Sequence, residues 1–364
     1  MIIEYLELTD FRNYEEIHVD FSPNTNIFFG DNAQGKTNIL ESVYLMGTTK
    51  SHRGSHDSEI ISFNKDYGVI RALFKKNDVD YKIGIQLRKD KRKAISINGS
   101  PVKKAADLLG IVNIVLFSPE DLQIIKSGPD KRRRFIDMTL CQIDKEYLFS
   151  LSSYNKIVNQ RNKLLKTCDN RNDISDTLNI WDDQLVNYGS KVIKRRKDFI
   201  KELNEIINPI HGNISGNNDK VDIIYEFNTD EEDYADRLKR NRDKDLRYKS
   251  TSIGPHRDDL LINIKDIDVR KYGSQGQQRT VALSLKLSEI EIIKAAIGDT
   301  PILLLDDVLS ELDMNRQRYL LENLGDTQTI ITCTGLDEFV NNRFEINKCF
   351  KVNNGKVQEV NNEQ

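Results

Sequence analysis

Between residues 26 and 40 the chain reads NIFFGDNAQGKTNIL, a stretch whose residue types and spacing suit one kind of chemistry. Gly30, Gly35, Lys36 and Thr37 fit the pattern G-x-x-x-x-G-K-[ST], with Asp31, Asn32, Ala33 and Gln34 between the glycines. Glycines let a loop turn so that successive backbone N–H groups point at one anion, and a helix starting at the loop's end adds a positive dipole end. In such a loop the lysine reaches the β- and γ-phosphates of a nucleoside triphosphate and the threonine hydroxyl holds Mg²⁺. Lys36 and Thr37 take those roles here. An ordinary glycine-containing turn is the competing reading. The apolar run Ile27, Phe28, Phe29 before the first glycine and the helix-forming residues after Thr37 give the strand, loop and helix that a phosphate loop requires.

A second motif supplies what this loop lacks. Ile302, Leu303, Leu304 and Leu305 run into Asp306 and Asp307, followed by Ser310, Glu311, Leu312 and Asp313. One carboxylate at a strand end can hold Mg²⁺ through water, and its neighbour can polarise an attacking water as general base. Acidic residues end many buried strands; the complete phosphate loop upstream gives this pair its meaning. Residues 274–278, SQGQQ, form a second anion-binding helix start, with the Ser274 hydroxyl, Gly276 for close approach, and free N–H groups. A plain helix cap is the alternative. Two distant helix starts embrace one γ-phosphate most naturally in a composite site between two subunits.

These residues need a scaffold, and the patterning predicts an α/β one. Residues 2–8 and 17–21 alternate apolar and polar, as half-buried strands leading into 27–29. Three β-rich runs at 67–74, 79–87 and 94–97 form an antiparallel meander, the last closed by Asn98-Gly99. The apolar run 111–117 suits a strand buried on both faces. From 145 to 210 apolar residues recur every three or four positions, giving two helices separated by the polar stretch 167–176. Their aromatic stripe suits one helix packing on the other. Further expectations are a strand at 221–227, a charged helix at 230–245, a strand at 260–269, a helix through 297, strands at 302–305 and 329–332, and a terminal hairpin turning at Asn354-Gly355. The division expected is an ATPase lobe at 1–125, a helical insertion at 126–215 and the lobe's C-terminal part at 216–364.

The 364 residues are 38% hydrophobic and 30% charged, the make-up of a globular chain with a sizeable core. A net charge of −3 excludes a uniformly basic nucleic-acid binder but leaves room for local patches. Two such runs occur, Lys131, Arg132, Arg133, Arg134 and Lys194, Arg195, Arg196, Lys197, for which solvated charge is the bland reading. Cys141, Cys168, Cys333 and Cys349 are scattered without metal-ligand spacing, which suits buried or free thiols in a reducing cytoplasm. The first residues lack a basic stretch before a long apolar one, so neither a signal peptide nor a membrane span is expected.

In order, FRNY (11–14), the phosphate loop, GPHRDD (254–259), YGSQGQQR (272–279) and ILLLDDVLSELD (302–313) resemble the ABC-type ATPase heads of SMC and related repair proteins. Within these, the three phrases GPHRDD, YGSQGQQR and ILLLDDVLSELD, with a helical insertion far too short for a long coiled coil, closely match the RecF family of bacterial recombination mediators, and the resemblance covers essentially the whole chain. The resemblance implies an ABC-type head with an inserted helical hairpin, binding ATP and Mg²⁺. Residues 30–37 then form the Walker A loop, with Asn32 facing the γ-phosphate. Asp306 takes the metal-binding Walker B position and Asp307 that of the catalytic carboxylate. Ser274, Gly276 and Gln277 become the signature that reaches the ATP of the opposite subunit, and Asp313 lies in the loop crossing the dimer interface. Two departures, Asp307 in place of glutamate and Thr332-Cys333-Thr334 where a switch histidine is expected, imply slow hydrolysis suited to a switch. The family further implies an ATP-dependent homodimer on DNA, at junctions of single and double strands, acting with RecO and RecR to load RecA. The two basic clusters, with Arg53, would touch phosphates. Competing classes are a transporter's ATPase subunit, in which GPHRDD has no place, and an ATP-gated nuclease of the overcoming-lysogenization type, for which the pair Asp258-Asp259 is not enough without a further acidic motif to complete a toprim-like domain. Another SMC-like DNA-clamp ATPase is the third.

Overall fold

The computed structural model describes residues 1–167, 175–216, 219–336 and 346–360. The chain divides into two compact units, Met1–Asp121 with Glu289–Gln364, and Leu122–Ser288. The later boundary falls within the helix Gln275–Ile297. The helical stretch expected at 126–215 lies inside the second unit, which continues beyond it through a small sheet.

The first unit contains two six-stranded sheets. One is antiparallel, in the order Tyr14–Asp20, Ile2–Phe11, Tyr67–Lys76, Val79–Arg88, Ala94–Ile97, Ser100–Pro101. Its strands bury alternate residues, as period-two patterning requires of a sheet with one covered face. The other runs Lys356–Val360, Lys348–Asn353, Thr25–Phe29, Thr329–Cys333, Ile302–Asp306, Ile114–Phe117, parallel throughout except for the terminal hairpin. Ile302–Asp306, Thr329–Cys333 and Ile114–Phe117 are buried at every residue, which explains the unbroken apolar runs Ile302–Leu305 and Ile114–Phe117. The expected strands near 2–8 and 17–21 form and pair with each other, and Ile2–Phe11 pairs on its other side with Tyr67–Lys76 of the meander, so both join the antiparallel sheet and not the sheet of Thr25–Phe29. Their alternation already carried that distinction. One apolar core takes Leu6, Phe74 and Ile85 from the antiparallel sheet, Phe28 and Leu304 from the parallel one, and Leu40 and Val43 from the helix Lys36–Thr48.

The second unit is built on Pro129–Ile143, Lys145–Thr167 and Ser175–Ser215, with an antiparallel sheet of Ile267–Asp268, Asp259–Ile264 and Val221–Glu226. Tyr154, Ile157 and Val158 of one long helix pack with Leu185 and Ile193 of the next and with Tyr234 and Leu238, so the aromatic stripe is core. Three expectations need correction. The helical insertion is expected from 126 with no helical pattern before 145, yet Pro129–Ile143 is a helix, its run of cations hiding the apolar positions Phe135, Ile136 and Leu140. The charged helix at 230–245 is two short ones, Tyr234–Arg240 and Arg242–Tyr248. The strand at 260–269 stops at Ile264, where Lys265 and Asp266 turn the chain with φ of 50° and 63°. Cys141, Cys333 and Cys349 are buried thiols, while Cys168 lies outside the described residues, as does most of the separator at 167–176. No helix among the described residues is long and apolar enough to cross a membrane.

Candidate nucleotide site

The strand Thr25–Phe29 delivers the chain to Gly30 at the C-terminal edge of the parallel sheet, and the helix Lys36–Thr48 begins at the loop's other end. Ligands of open parallel sheets bind at this edge. Gly30 has φ 146°, and a Cβ there would lie 2.4 Å from the Val352 carbonyl oxygen of the neighbouring strand, so only glycine fits. Asp31, Asn32 and Ala33 are exposed along the loop. Lys36 is buried, and its Nζ donates to the carbonyls of Gly30 at 2.5 Å and Asp31 at 2.8 Å, which holds the ammonium over the loop's mouth.

Thr37 and Asp306, 269 residues apart in sequence, meet here: the Thr37 hydroxyl donates to Asp306 Oδ1 at 2.8 Å. Thr332 Oγ1 donates to the same oxygen at 2.8 Å, from the strand beside Ile302–Asp306 in direct register. Asp307 has φ 52°, and its N–H donates to the Thr332 carbonyl at 3.2 Å and hydroxyl at 3.1 Å. That turn separates the two carboxylates. Burial pushes the Asp307 carboxyl above the usual carboxylate range, against the pull of the Lys36 charge. A raised carboxylate near a lysine fits a general base.

Residues beyond the motif hold the loop in shape. Asn13 Nδ2 donates to the Gln34 carbonyl at 2.9 Å, and the Tyr14 hydroxyl donates to the Gly35 carbonyl at 3.0 Å. From the far end of the chain, Asn354 N–H donates to Gln34 Oε1 at 2.7 Å and Gly355 N–H to the Gln34 carbonyl at 3.4 Å. Gly355 sits at φ 72°, and a Cβ on it would come within 2.4 Å of the Asn13 carbonyl oxygen. Arg12 makes two bonds to Glu41, at 2.9 and 2.7 Å, one turn along the helix from Thr37. Glu41 is fully buried and also accepts from Ser51; despite burial, which acts to raise it, the bonds from Arg12 and Ser51 hold its carboxyl below the usual 4.5. Sequence reasoning gave these residues no roles. FRNY and the Asn-Gly turn were visible, but their partner is a loop up to 320 residues away.

In the second unit, Ser274 and the helix Gln275–Ile297 form a reciprocal cap: Gln277 N–H donates to Ser274 Oγ at 3.2 Å and Ser274 N–H to Gln277 Oε1 at 2.9 Å. The serine oxygen is occupied by the cap. Its O–H stays available as a donor, and Gly276 follows in the first turn.

The basic clusters change meaning. Arg132 is buried and bidentate to Asp259 at 2.6 and 2.9 Å. Arg196, also buried, binds Asp137 at 2.8 Å and Asp258 at 3.2 Å. Contact of either guanidinium with a DNA phosphate would break an ion pair it already makes within this unit, which favours a structural role for these two. Arg133 donates to the Asp258 carbonyl, Arg195 pairs with Asp144 and Glu202, and Lys197 with Asp230 and Glu231. Lys131 and Arg134 are half-buried and Lys194 is exposed.

GPHRDD is the hub of this unit. Pro255 O accepts from Arg196, Asp258 from Asn228 N–H and the Tyr225 hydroxyl, and His256 Nε2 donates to the Thr251 carbonyl while Nδ1 accepts from Tyr154 at 2.5 Å. Burial pushes His256 down to about 4, so the imidazole is neutral and these tautomer assignments follow. Asp258 and Asp259 are each paired with an arginine, and among the described residues no group of three or more His, Cys, Asp or Glu side chains is placed to hold a metal ion.

The family model of the RecF/RecN/SMC N-terminal domain matches residues 2–358. The DNA replication and repair protein RecF of Agathobacter rectalis is 58% identical over 360 residues, covering 99% of each chain. That of Lachnospira eligens is 56% identical over 99% of this chain and 100% of its own. The solved structure of the recombination mediator protein RecF with ATP, in the RecFOR pathway, has a TM-score of 0.92 at 38% identity, covering 99% of this chain and 97% of that one. The Smc head domain of Pyrococcus furiosus shares the fold, with a TM-score of 0.57 at 18% identity over 98% and 95% of the two chains. A head of SMC type that RecF proteins match from end to end leaves one assignment: the chain belongs to the RecF family.

Proposed function

We propose that this protein is an ATP-driven switch on DNA: a slow, Mg²⁺-dependent ATPase whose two copies close on single-strand/double-strand junctions when ATP binds and open on hydrolysis. The observation that carries the reading is the convergence of the Thr37 and Thr332 hydroxyls on one oxygen of Asp306, beside the Lys36 ammonium. Two hydroxyls and a carboxylate are hard oxygen donors of the kind Mg²⁺ takes, and the loop's backbone with Lys36 suits a triphosphate. When bound, MgATP supplies the phosphoanhydride whose hydrolysis gives the switch its direction. Thr37 and Asp306 hold the metal side; Lys36, Asn32 and the N–H groups of residues 30–37 hold the phosphates. Asp307 takes the proton of the attacking water. Its carboxylate arm is one methylene shorter than glutamate's, which places water less well and supports slow turnover. Ser274, Gly276 and Gln277 present a hydroxyl and helix N–H groups to the γ-phosphate held by the other copy, and Asp313 lines the same interface. RecO, RecR and RecA are the partners that the family implies, RecA being loaded on the gapped strand; with no membrane element called for, the site of action is the cytoplasm.

Removing the Lys36 amine in Lys36→Ala deletes a charge aimed at the β- and γ-phosphates, so nucleotide affinity falls. Asp307→Asn keeps ATP binding and slows turnover, by about 100-fold or more for the loss of a general base. Titration with a fluorescent ATP analogue and steady-state phosphate release measure the two; turnover unchanged in Asp307→Asn rejects the base.

A further inference from the structure

The clusters expected to bind DNA are largely consumed by the protein's own carboxylates, yet a third basic run is not. Residues 88–93, RKDKRK, hold five cations and one anion in a chain of net charge −3. They connect the strands Val79–Arg88 and Ala94–Ile97, and Lys89, Asp90, Lys91 and Arg92 are exposed. Lys93 anchors the loop by turning inward, its Nζ donating to the Thr49 carbonyl at 2.6 Å and to Asp57 at 2.9 Å. Lys89 stands 3.8 Å from Asp66, an exposed and weak pair. Among the described residues Lys91 and Arg92 have no ion-pair partner. Like charges crowded this way repel each other, and a bound polyanion relieves that repulsion.

Aromatic side chains stand beside these cations. Tyr67 is directly opposite Arg88 in the strand register and is 51% exposed. The Lys89 N–H donates to the Asp66 carbonyl, which ties the loop to the turn that carries Phe63, 97% exposed. Cations interleaved with open aromatic faces are the composition that single-stranded nucleic acid uses, phosphates on the former and bases on the latter. An acidic protein partner would use the charges but give no reason for a ring so bare as Phe63.

We infer that Phe63, Tyr67, Lys89, Lys91 and Arg92 form a contact surface for a single strand of DNA. This surface rests on the DNA-binding reading above and adds the strand type and the residues. The test is fluorescence anisotropy of the full chain with a labelled thymidine oligonucleotide across a salt series, with ATP affinity measured in parallel.

Lys91→Gln with Arg92→Gln should lower the slope of log affinity against log salt by about 1.4, at about 0.7 per phosphate contact on a single strand. Phe63→Ala with Tyr67→Ala should weaken binding about thirtyfold or more with the slope unchanged, since each of the two lost base stacks is worth about 1–3 kcal/mol. ATP affinity should stay at the wild-type value in both. Wild-type affinity and slope in both variants would overturn the surface alone. Wild type that holds ATP but no DNA would overturn the DNA-binding reading and this surface with it. Loss of binding to polyglutamate, with oligonucleotide binding intact, would make the patch an acidic-protein site and overturn the assignment.

Discussion

At the scale of single residues, the chemistry rests on how few atoms are shared. Asp306 Oδ1 takes hydroxyl protons from both Thr37 and Thr332, and the Thr332 hydroxyl also accepts the Asp307 N–H. Thr332 stands in the stretch where a switch histidine was sought, so it first registered as an absence. Its position in register with Asp306 makes it a positioning residue for both carboxylates. Thr332→Val keeps the shape and removes the hydroxyl. Losing a hydrogen bond to a charged group costs about 1.5–3 kcal/mol, so kcat should fall about 10- to 100-fold. ATP affinity measured in the same variant should change far less; a wild-type kcat would return Thr332 to the core. The phosphate loop was legible from sequence because its residues are contiguous. The fates of Arg132 and Arg196 were not, because a sequence displays charge but not the Asp259, Asp137 and Asp258 that neutralise it.

At the scale of elements, alternation and unbroken apolar runs identified most strands, and three-to-four periodicity identified the two long helices. What escaped were dependencies between distant segments. The terminal hairpin, Lys348–Asn353 and Lys356–Val360, contributes no residue to catalysis but bonds Gln34 through the backbone of its turn. Gly355→Ala strains a left-handed residue and pushes on Asn13, so the turn and the loop cannot keep their contact. ATP Kd should rise about five- to tenfold, the worth of one or two hydrogen bonds. Adding Gln34→Ala should raise it no further than Gln34→Ala alone, whereas fully additive effects would deny the coupling. GPHRDD carries a second dependency, on pH. His256 is held neutral with its pKa about 4 against the usual 6.5, so below pH 6.5 the unfolded chain takes up a proton that the folded one refuses. Stability therefore falls as pH drops from 6.5 toward 4, by about 2 kcal/mol at pH 5. Urea unfolding of the wild type and of His256→Gln at pH 7 and pH 5 should give the smaller loss in the variant; equal losses would exonerate His256.

At the scale of the whole molecule, the proposed switch asks for two copies of the chain. The phosphate loop and both carboxylates lie in the first unit, and the capped helix start at Ser274 in the second. The resemblance to RecF proteins is legible in three phrases and matched along 99% of the chain; on the reading proposed above, a second copy completes the site. Ser274→Arg then spares ATP binding and blocks closure, while Lys36→Ala loses its own loop and keeps a sound signature. Sedimentation velocity of the full chain tests this most directly, on the wild type, on Asp307→Asn and on a mixture of Ser274→Arg with Lys36→Ala. The expected result is monomer without nucleotide or with ADP, dimer with ATP, a longer-lived ATP dimer in Asp307→Asn, and partial dimer in the mixture where neither variant dimerises alone. Monomer under every condition, or a dimer indifferent to nucleotide, would contradict an ATP-closed switch.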